Sequence, residues 1–117
     1  MITIMPADKV FLQSISAPEG ADAMVLRDSG GTVDGHALFR VDGDAVEILT
    51  VETALPMMTE GLIRSVLNTG DCRGAINGVC RDGALAPILR RLEFEEENGV
   101  WTVSIEKFFH GECKCGK

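Results

Sequence analysis

Two carboxylates and a histidine occupy positions from which they could accept a proton. Glu52 closes a segment of alternating apolar and polar residues, Glu47 lies in the same segment, and His36 lies in the segment before it. A carboxylate or an imidazole near a strand end is the kind of group that acts as a general base. Strict alternation places Glu47 on the face opposite to Glu52. Glu52 and His36 are therefore candidate catalytic residues; the alternatives are a solvated strand-end carboxylate and a hydrogen-bonded edge histidine.

Gly61 lies at the start of a predicted helix and is a candidate for binding an anion. Bare backbone N–H groups at a helix N-terminus attract a phosphate, and a glycine lets a ligand approach the chain closely. Gly61, with the backbone of Leu62 and Ile63, could therefore hold a phosphate. The alternative is an amphipathic helix in which a crowded first turn requires the glycine.

Soft metal ligands cluster near the end of the sequence. His110, Cys113 and Cys115 form an H-x-x-C-x-C pattern in a polar segment. These side chains could hold zinc if Cys72, Cys80 or a partner supplied a fourth ligand. Zinc sites normally combine two spaced groups of ligands, and this segment has one. We therefore predict a polar tail without a metal site.

The composition limits the class of protein. The chain has 117 residues, of which 45% are hydrophobic and 25% charged, which predicts one globular domain over 1–109 and the tail over 110–117. Eighteen acidic against eleven basic residues give a net charge of −7, which opposes binding to a phosphate backbone. No apolar run approaches the roughly 20 residues of a membrane helix, and the first residues do not resemble a secretory signal. We expect a cytoplasmic protein that binds neither nucleic acid nor membrane.

The first half of the sequence predicts mainly strands. A strand over 2–5 and a short helix over 8–15 are followed by strands over 23–27, 36–41 and 45–52. Gly-Gly and Asp-Gly pairs separate these last three strands. Asp-Gly is typical of tight hairpins, so the strands over 36–41 and 45–52 should be antiparallel neighbours.

The second half alternates between helical and strand periods. Apolar residues at helical spacing predict a helix over 56–69, with a proline in its first turn and a glycine at its end. A strand over 75–80 and a second helix over 85–92 follow. An Asn-Gly pair then joins strands over 94–97 and 100–108 in the strongest hairpin signal of the sequence.

This order predicts an α+β domain with helices packed on a mostly antiparallel sheet. The helix over 56–69 connects the strands over 45–52 and 75–80, which should therefore be parallel neighbours. The residues expected in the core are Met58, Leu62, Ile63, Val66, Leu85, Ile88, Leu89, Trp101, Val103 and Ile105.

The chain resembles the GNAT superfamily of acyl-coenzyme A dependent N-acyltransferases in its order of elements and in the segments VEILTVET, TEGLIRSVLNTG and ALAPILRRLEFEEENGVWTVSIEKFF. The likeness covers about residues 23–108. It implies a GNAT-like fold and the transfer of an acetyl group from acetyl-coenzyme A to an amine.

The resemblance also implies where the cofactor binds. Acetyl-coenzyme A would enter between the two central strands, and its pyrophosphate would meet backbone N–H groups at a helix start. Asp82 would accept a hydrogen bond from the pantetheine amide, or would instead cap the following helix. The residues placed at the cofactor are Leu49, Val51, Gly61, Leu62, Ile63 and Asp82.

Several residues depart from the family pattern. Met58 stands in place of a Gln or Arg, Ile63 in place of a small residue, and Glu60 adds a negative charge beside the phosphate position. The second helix closes with Leu-Glu-Phe, with Glu93 in place of the glycine of the family's Leu-Gly-Phe. The chain contains no tyrosine, the residue that often protonates the leaving thiolate in the family, so Cys80 or a water would have to fill that role.

Two functions of different classes follow. The first is an N-acetyltransferase that acts on a small-molecule or protein amine. A homodimer is the assembly considered for it. The alternative is a catalytically inactive GNAT-like domain that serves in binding or assembly.

Overall fold

A seven-stranded sheet forms the centre of the computed structural model, which describes residues 2–109. The strands follow the order β1-β2-β3-β4-β5-β7-β6 across the sheet. In chain order the elements are β1 (Thr3–Pro6), α1 (Lys9–Ser14), β2 (Asp22–Arg27), β3 (Val33–Asp42), β4 (Ala45–Thr53), a 3-10 turn (Pro56–Met58), α2 (Thr59–Cys72), β5 (Asn77–Cys80), a 3-10 turn (Gly83–Leu85), α3 (Ala86–Arg91), β6 (Glu95–Glu97), β7 (Val100–Ser104) and α4 (Ile105–Phe108).

The central strands β4 and β5 are parallel, as the sequence predicts. They pair from Ala45 opposite Asn77 to Ile48 opposite Cys80, and α2 is the crossover between them. The other described strand pairs are antiparallel. The predicted fold class, an α+β domain with one parallel pair in a mostly antiparallel sheet, is confirmed.

Helix α2 forms because its apolar residues recur at helical spacing on one side. Leu62, Ile63, Val66 and Leu67 are all buried against the sheet. Near the end of the helix, a Cβ on Gly70 would lie 2.7 Å from Val46, so the helix approaches β4 closely only because this residue is glycine.

The two faces of the sheet are covered unequally. We call the side that carries Ala37 and Phe39 the α2 face, because α2 and α3 bury it in a large cluster with Val46 and Ile48. We call the other side the α1 face. Its buried cluster consists of Ala21, Ala23 and Leu38, with residues of α1 and its flanking loops packed against them.

The predicted core lies on the α2 face. Met58, Ile88 and Val103 are partly buried and pack against that cluster. The other predicted residues are buried there: Leu62, Ile63, Val66, Leu85, Leu89, Trp101 and Ile105.

The predicted strand over 100–108 is too long. β7 ends at Ser104, whose Oγ accepts a hydrogen bond of 3.4 Å from the N–H of Lys107 and caps α4. The prediction was too long because Ile105, the first residue of α4, is buried and continues the alternation of apolar residues in β7. The hairpin before β7 is as predicted, with positive φ at Asn98 (56°) and Gly99 (82°).

Within residues 2–109, no helix is long and apolar enough to cross a membrane. The predicted tail over 110–117, with His110, Cys113 and Cys115, lies outside the described residues.

Candidate active site

Strand β4 extends beyond its parallel neighbour. Its last pair with β5 joins Ile48 to Cys80, after which the chain leaves β5 towards Asp82. β4 continues to Thr53 and pairs only with β3 over this stretch, in the part of the chain that the structure describes. Residues 49–53 therefore form a strand edge that β5 does not pair with, and such an edge can bind an extended ligand through its backbone.

A β-bulge in β4 decides which way the candidate base points. Leu38 pairs with Thr50 and Phe39 pairs with Ile48, so Leu49 has no partner on β3. The extra residue reverses the alternation of side chains along the strand.

The bulge brings the two candidate carboxylates to one face. Glu47 pairs with Arg40 and Glu52 pairs with His36, and both of these β3 residues lie on the same side of the sheet as Leu38. The expectation that Glu47 and Glu52 lie on opposite faces is therefore wrong. Strict alternation does not hold across a bulge, and the sequence carries no glycine there to signal one.

Glu52 and His36 are direct cross-strand neighbours on the α1 face. Directly opposite residues in an antiparallel pair have Cβ atoms about 4.5–5.5 Å apart, within reach of each other's side chains. The ring of Phe11 meets His36 edge to face with centroids 5.5 Å apart. Glu52 is exposed and His36 is half-buried, so α1 supports the imidazole and leaves the carboxylate accessible.

The Glu47 carboxylate forms an ion pair with Arg81. Nη1 of Arg81, just beyond the end of β5, donates to its Oε2 at 2.7 Å. This ion pair lies on the α1 face, beside the point where β4 and β5 separate. Glu52 carries no such partner among residues 2–109 and is the better candidate for a proton acceptor.

The end of β4 is held firmly against β3. The Thr53 hydroxyl accepts a 2.9 Å hydrogen bond from the N–H of Leu55, and the N–H of Ala54 donates to the carbonyl of Asp34 at 2.9 Å. A Cβ on Gly35 would lie 2.7 Å from the Glu52 carbonyl oxygen. Glycine at this position lets the two strands approach closely beside the candidate base.

The start of α2 offers two backbone donors. The first N–H groups of an α-helix have no intrahelical partner, and with Met58 as N-cap these belong to residues 58–61. The 3-10 turn before the helix uses two of them, because Met58 donates to Leu55 and Thr59 to Pro56. By the same count, the N–H groups of Glu60 and Gly61 have no partner within α2.

Gly61 is not required by crowding. A Cβ there would lie 3.6 Å from Ile4 and 3.7 Å from Met58, which are ordinary contact distances. Its φ is not in the positive region that favours glycine. The alternative raised by the sequence is therefore right that α2 is a packed amphipathic helix and wrong that its first turn is crowded at Gly61.

Glu60, beside these donors, is neutralised from two sides. Nε of Arg64 donates to its Oε2 at 3.0 Å, and Nη2 of Arg91 donates to its Oε1 at 3.1 Å. The hydrogen bond from Arg64 and then that from Arg91 lower the pKa of Glu60, while partial burial acts in the opposite direction. The charge that the sequence places beside the phosphate position is therefore balanced.

Asp82 has the capping role raised as its alternative. Its carboxylate accepts a 3.0 Å hydrogen bond from the N–H of Ala84 and caps the 3-10 turn that leads into α3. Cys80 is fully buried in the core. Burial raises the pKa of the Cys80 thiol, so the group remains protonated and inaccessible to a ligand.

The remaining predicted site residues lie on β4 and on α2. Leu49 is half-buried on the α1 face, and Val51 packs against the cluster of the α2 face. The side chains of Leu62 and Ile63 are completely buried, so only their backbone could meet a ligand. Sequence reasoning missed Arg91, because nothing in the order of residues connects it with Glu60 across the fold.

Solved structures with the same architecture are acetyltransferases of the GNAT family. A GNAT family acetyltransferase from Elizabethkingia anophelis with acetyl-CoA bound has a TM-score of 0.67 and 12% identity, over 88% of this chain and 97% of that one. The ribosomal-protein-S18-alanine N-acetyltransferase from Escherichia coli has a TM-score of 0.71 and 12% identity, over 90% and 94%. The spermidine/spermine N-acetyltransferase SpeG from Vibrio cholerae has a TM-score of 0.63 and 10% identity, over 92% and 95%.

The sequence matches no protein-family model and no curated protein. At 10–12% identity the structural likeness establishes the architecture, and it spans nearly the full length of these acetyltransferases. The chain therefore has the GNAT fold, as its resemblance predicts.

Proposed function

We propose that the protein is an acyl-coenzyme A dependent N-acyltransferase that transfers an acetyl group to an amine. The observation that carries this proposal is the unpaired edge of β4 over 49–53. It leads to Glu52 on one face of the sheet, and the first N–H groups of α2, which have no partner within the helix, begin a few residues beyond it.

The residues at this edge suit acetyl-coenzyme A. The β4 backbone and Leu49 and Val51 would flank the pantetheine arm, and the N–H groups of Glu60 and Gly61 would hold the pyrophosphate. The site is compatible with a phosphate because Arg64 and Arg91 balance the Glu60 carboxylate. Leu62 and Ile63 hold this helix start in place through their buried side chains. Asp82 fixes the chain as it leaves β5.

The bound cofactor supplies an acetyl thioester, and the reaction forms an amide C–N bond as the C–S bond breaks. Glu52 would accept the proton that the amine loses, either directly or through a water. His36 is the second candidate for that proton, or it orients Glu52 from the opposite strand. The exposed carboxylate also favours a cationic amine as the acceptor, whether a small molecule or a protein side chain.

The test compares the wild type with four variants for acetyl-coenzyme A binding and for acetylation of a mixed set of amines. Glu52→Gln should reduce turnover by about 10²- to 10⁴-fold without changing cofactor affinity. Gly61→Ala should weaken cofactor binding, because the methyl group adds bulk beside the backbone that would hold the pyrophosphate. Glu97→Gln, on the exposed edge strand β6, is the matched carboxylate control and should match the wild type.

Cofactor binding is read from thermal stability. A ligand at 100 times its dissociation constant raises the free energy of unfolding by about 2.7 kcal/mol. A wild-type protein with no shift at millimolar acetyl-coenzyme A would contradict the proposal. So would a Glu52→Gln variant with full turnover, together with an unaffected His36→Asn variant, since both candidates for the base would then be excluded.

One observation favours the alternative, a GNAT-fold domain that binds a partner without catalysis. The chain has no tyrosine, and Cys80, the proposed substitute acid, is buried in the core. Protonation of the leaving thiolate would then depend on water. Cofactor binding without any acetylation, in the wild type, would support this second function.

A further inference from the structure

A cavity of about 560 Å³ lies on the other side of Arg64 and Arg91, the two residues that pair with Glu60, and it contains neither Glu52 nor His36. It is bounded by α2, the C-terminal end of α3, β7 and α4. Its walls carry charges of both signs. The residues that matter here are Arg64, Arg91, Lys107, Glu93, Glu95 and Phe108.

The charges form two separate sets. Arg64, Arg91 and Lys107 are the cationic set, and Glu93 and Glu95 are the anionic set. No ion pair within residues 2–109 joins one set to the other. Lining charges of opposite sign that do not pair with each other remain available for a ligand that carries both signs.

The cationic set is pre-positioned. Arg64 and Arg91 each use one nitrogen on Glu60, and a guanidinium has five N–H donors, so donors remain on both side chains. The Arg64 guanidinium also lies 4.9 Å from the centroid of the Phe108 ring, a cation–π contact that helps to hold it in place. Two oriented guanidinium groups suit a carboxylate better than a single flexible ammonium does.

Glu93 stands in an unfavourable backbone conformation. Its φ is 69°, in the left-handed region at the end of α3. Its N–H donates to the carbonyl of Arg90, and that of Phe94 donates to Leu89, which is the hydrogen-bonding pattern of a helix end that favours glycine. The sequence carries a glutamate instead, and that glutamate lines the cavity. Strained residues of this kind occur often at ligand sites.

We propose that this cavity binds a small zwitterion, a molecule with a carboxylate and an ammonium group separated by a short chain. Arg64 and Arg91, with Lys107 beside them, hold the carboxylate. Glu93 and Glu95 hold the ammonium group. A purely anionic ligand would contact only the cationic set, and a purely cationic one only the anionic set, so a zwitterion makes contacts that neither of them can make.

The proposal is tested with three probes of similar size. 4-Aminobutyrate carries both charges, butyrate only the carboxylate and butylamine only the ammonium group. Each is titrated into 15N-labelled protein in the millimolar range, and the amide shifts of Thr102, Ser104 and Phe108 are followed, since these residues line the cavity. We expect 4-aminobutyrate to bind at least about tenfold more tightly than either single-charge probe, as a charge-assisted hydrogen bond predicts.

The Glu93→Gly variant should change thermal stability and ligand affinity in opposite directions. Glycine relieves the left-handed conformation, so this variant should melt at a higher temperature than the wild type and still lose about tenfold or more in affinity for 4-aminobutyrate. Lys107→Gln should weaken 4-aminobutyrate and butyrate and leave butylamine unchanged. Glu97→Gln, an exposed β6 carboxylate that does not line the cavity, is the control and should bind like the wild type.

Three results would overturn the proposal. The first is equal binding of butyrate and 4-aminobutyrate, which would define an anion site. The second is a Glu93→Gly variant that is more stable and binds 4-aminobutyrate as tightly as the wild type. The third is the absence of any shift change in the lining residues with all three probes. The three results are measured without acetyl-coenzyme A and with variants outside the candidate active site, so the proposed acyltransferase activity is tested separately.

Discussion

The two faces of the central sheet differ in how they are built and in what they can do. On the α2 face, α2 and α3 bury a continuous cluster that includes Phe39, Ile48 and Leu62. On the α1 face, a helix of six residues covers a small cluster, and polar side chains remain beside it. Stability is concentrated on the first face, and the groups able to accept a proton lie on the second.

This division has a physical reason. A fully packed face excludes water and ligand, so a carboxylate there would lose its hydration without a partner. The short α1 leaves Glu52 exposed on the other face while still supporting His36 through Phe11. The same sheet therefore separates a folding surface from a candidate reaction surface.

The largest expected effect tests where stability resides. Leu62→Ala and Leu89→Ala remove completely buried side chains from the α2 face and should each lower the free energy of unfolding by about 2–5 kcal/mol. Leu49→Ala, on the α1 face, removes a half-buried side chain and should cost less than about 1.5 kcal/mol. Urea unfolding measures all three. Equal losses at Leu49 and Leu62 would show that the faces are equally important for stability.

Two glycines of the same helix provide the second test. Gly70→Ala places a methyl group against Val46 and should cost about 1–3 kcal/mol through overpacking. Gly61→Ala meets only ordinary contacts and should stabilise the helix by up to about 1 kcal/mol. Thermal unfolding of the two variants compares them directly. A destabilised Gly61→Ala variant would mean that packing, rather than a ligand, requires this glycine.

The smallest expected effect concerns pH. Because the pKa of Glu60 is lowered in the folded state, its ion pairs stabilise the protein above the carboxyl pKa of the unfolded chain. That contribution is lost as the pH falls through the lower folded-state pKa. Glu60→Gln should therefore flatten the acid part of the stability curve, and salt should reduce the difference.

Glu97→Gln is the control for this curve, because no cation lies within ion-pair distance of Glu97 among the described residues. If Glu60→Gln and wild type lose stability in parallel from neutral to acid pH, Arg64 and Arg91 do not stabilise the fold through the Glu60 carboxylate.

Much of the architecture was predictable because it depends on local patterns. The stripe that includes Leu62 and Val66 predicts α2 at its helical period, and the Asn98-Gly99 pair predicts the hairpin through its positive φ angles. A helix between two strands implies a crossover, and hence the parallel pair of β4 and β5. The end of β7 was missed, since the buried Ile105 continues the alternation into α4.

The sequence by itself therefore determined the order of elements, the buried stripe of α2 and the identity of the candidate residues, because periodicity and turn chemistry act between near neighbours. Only the tertiary structure decided how these residues combine. The bulge at Leu49 arises from the register between β3 and β4, and it places Glu47 and Glu52 on one face. The contact of Arg91 with Glu60 spans 31 residues of chain, so the packing of α3 beside α2, and no local pattern, sets the charge at the helix start.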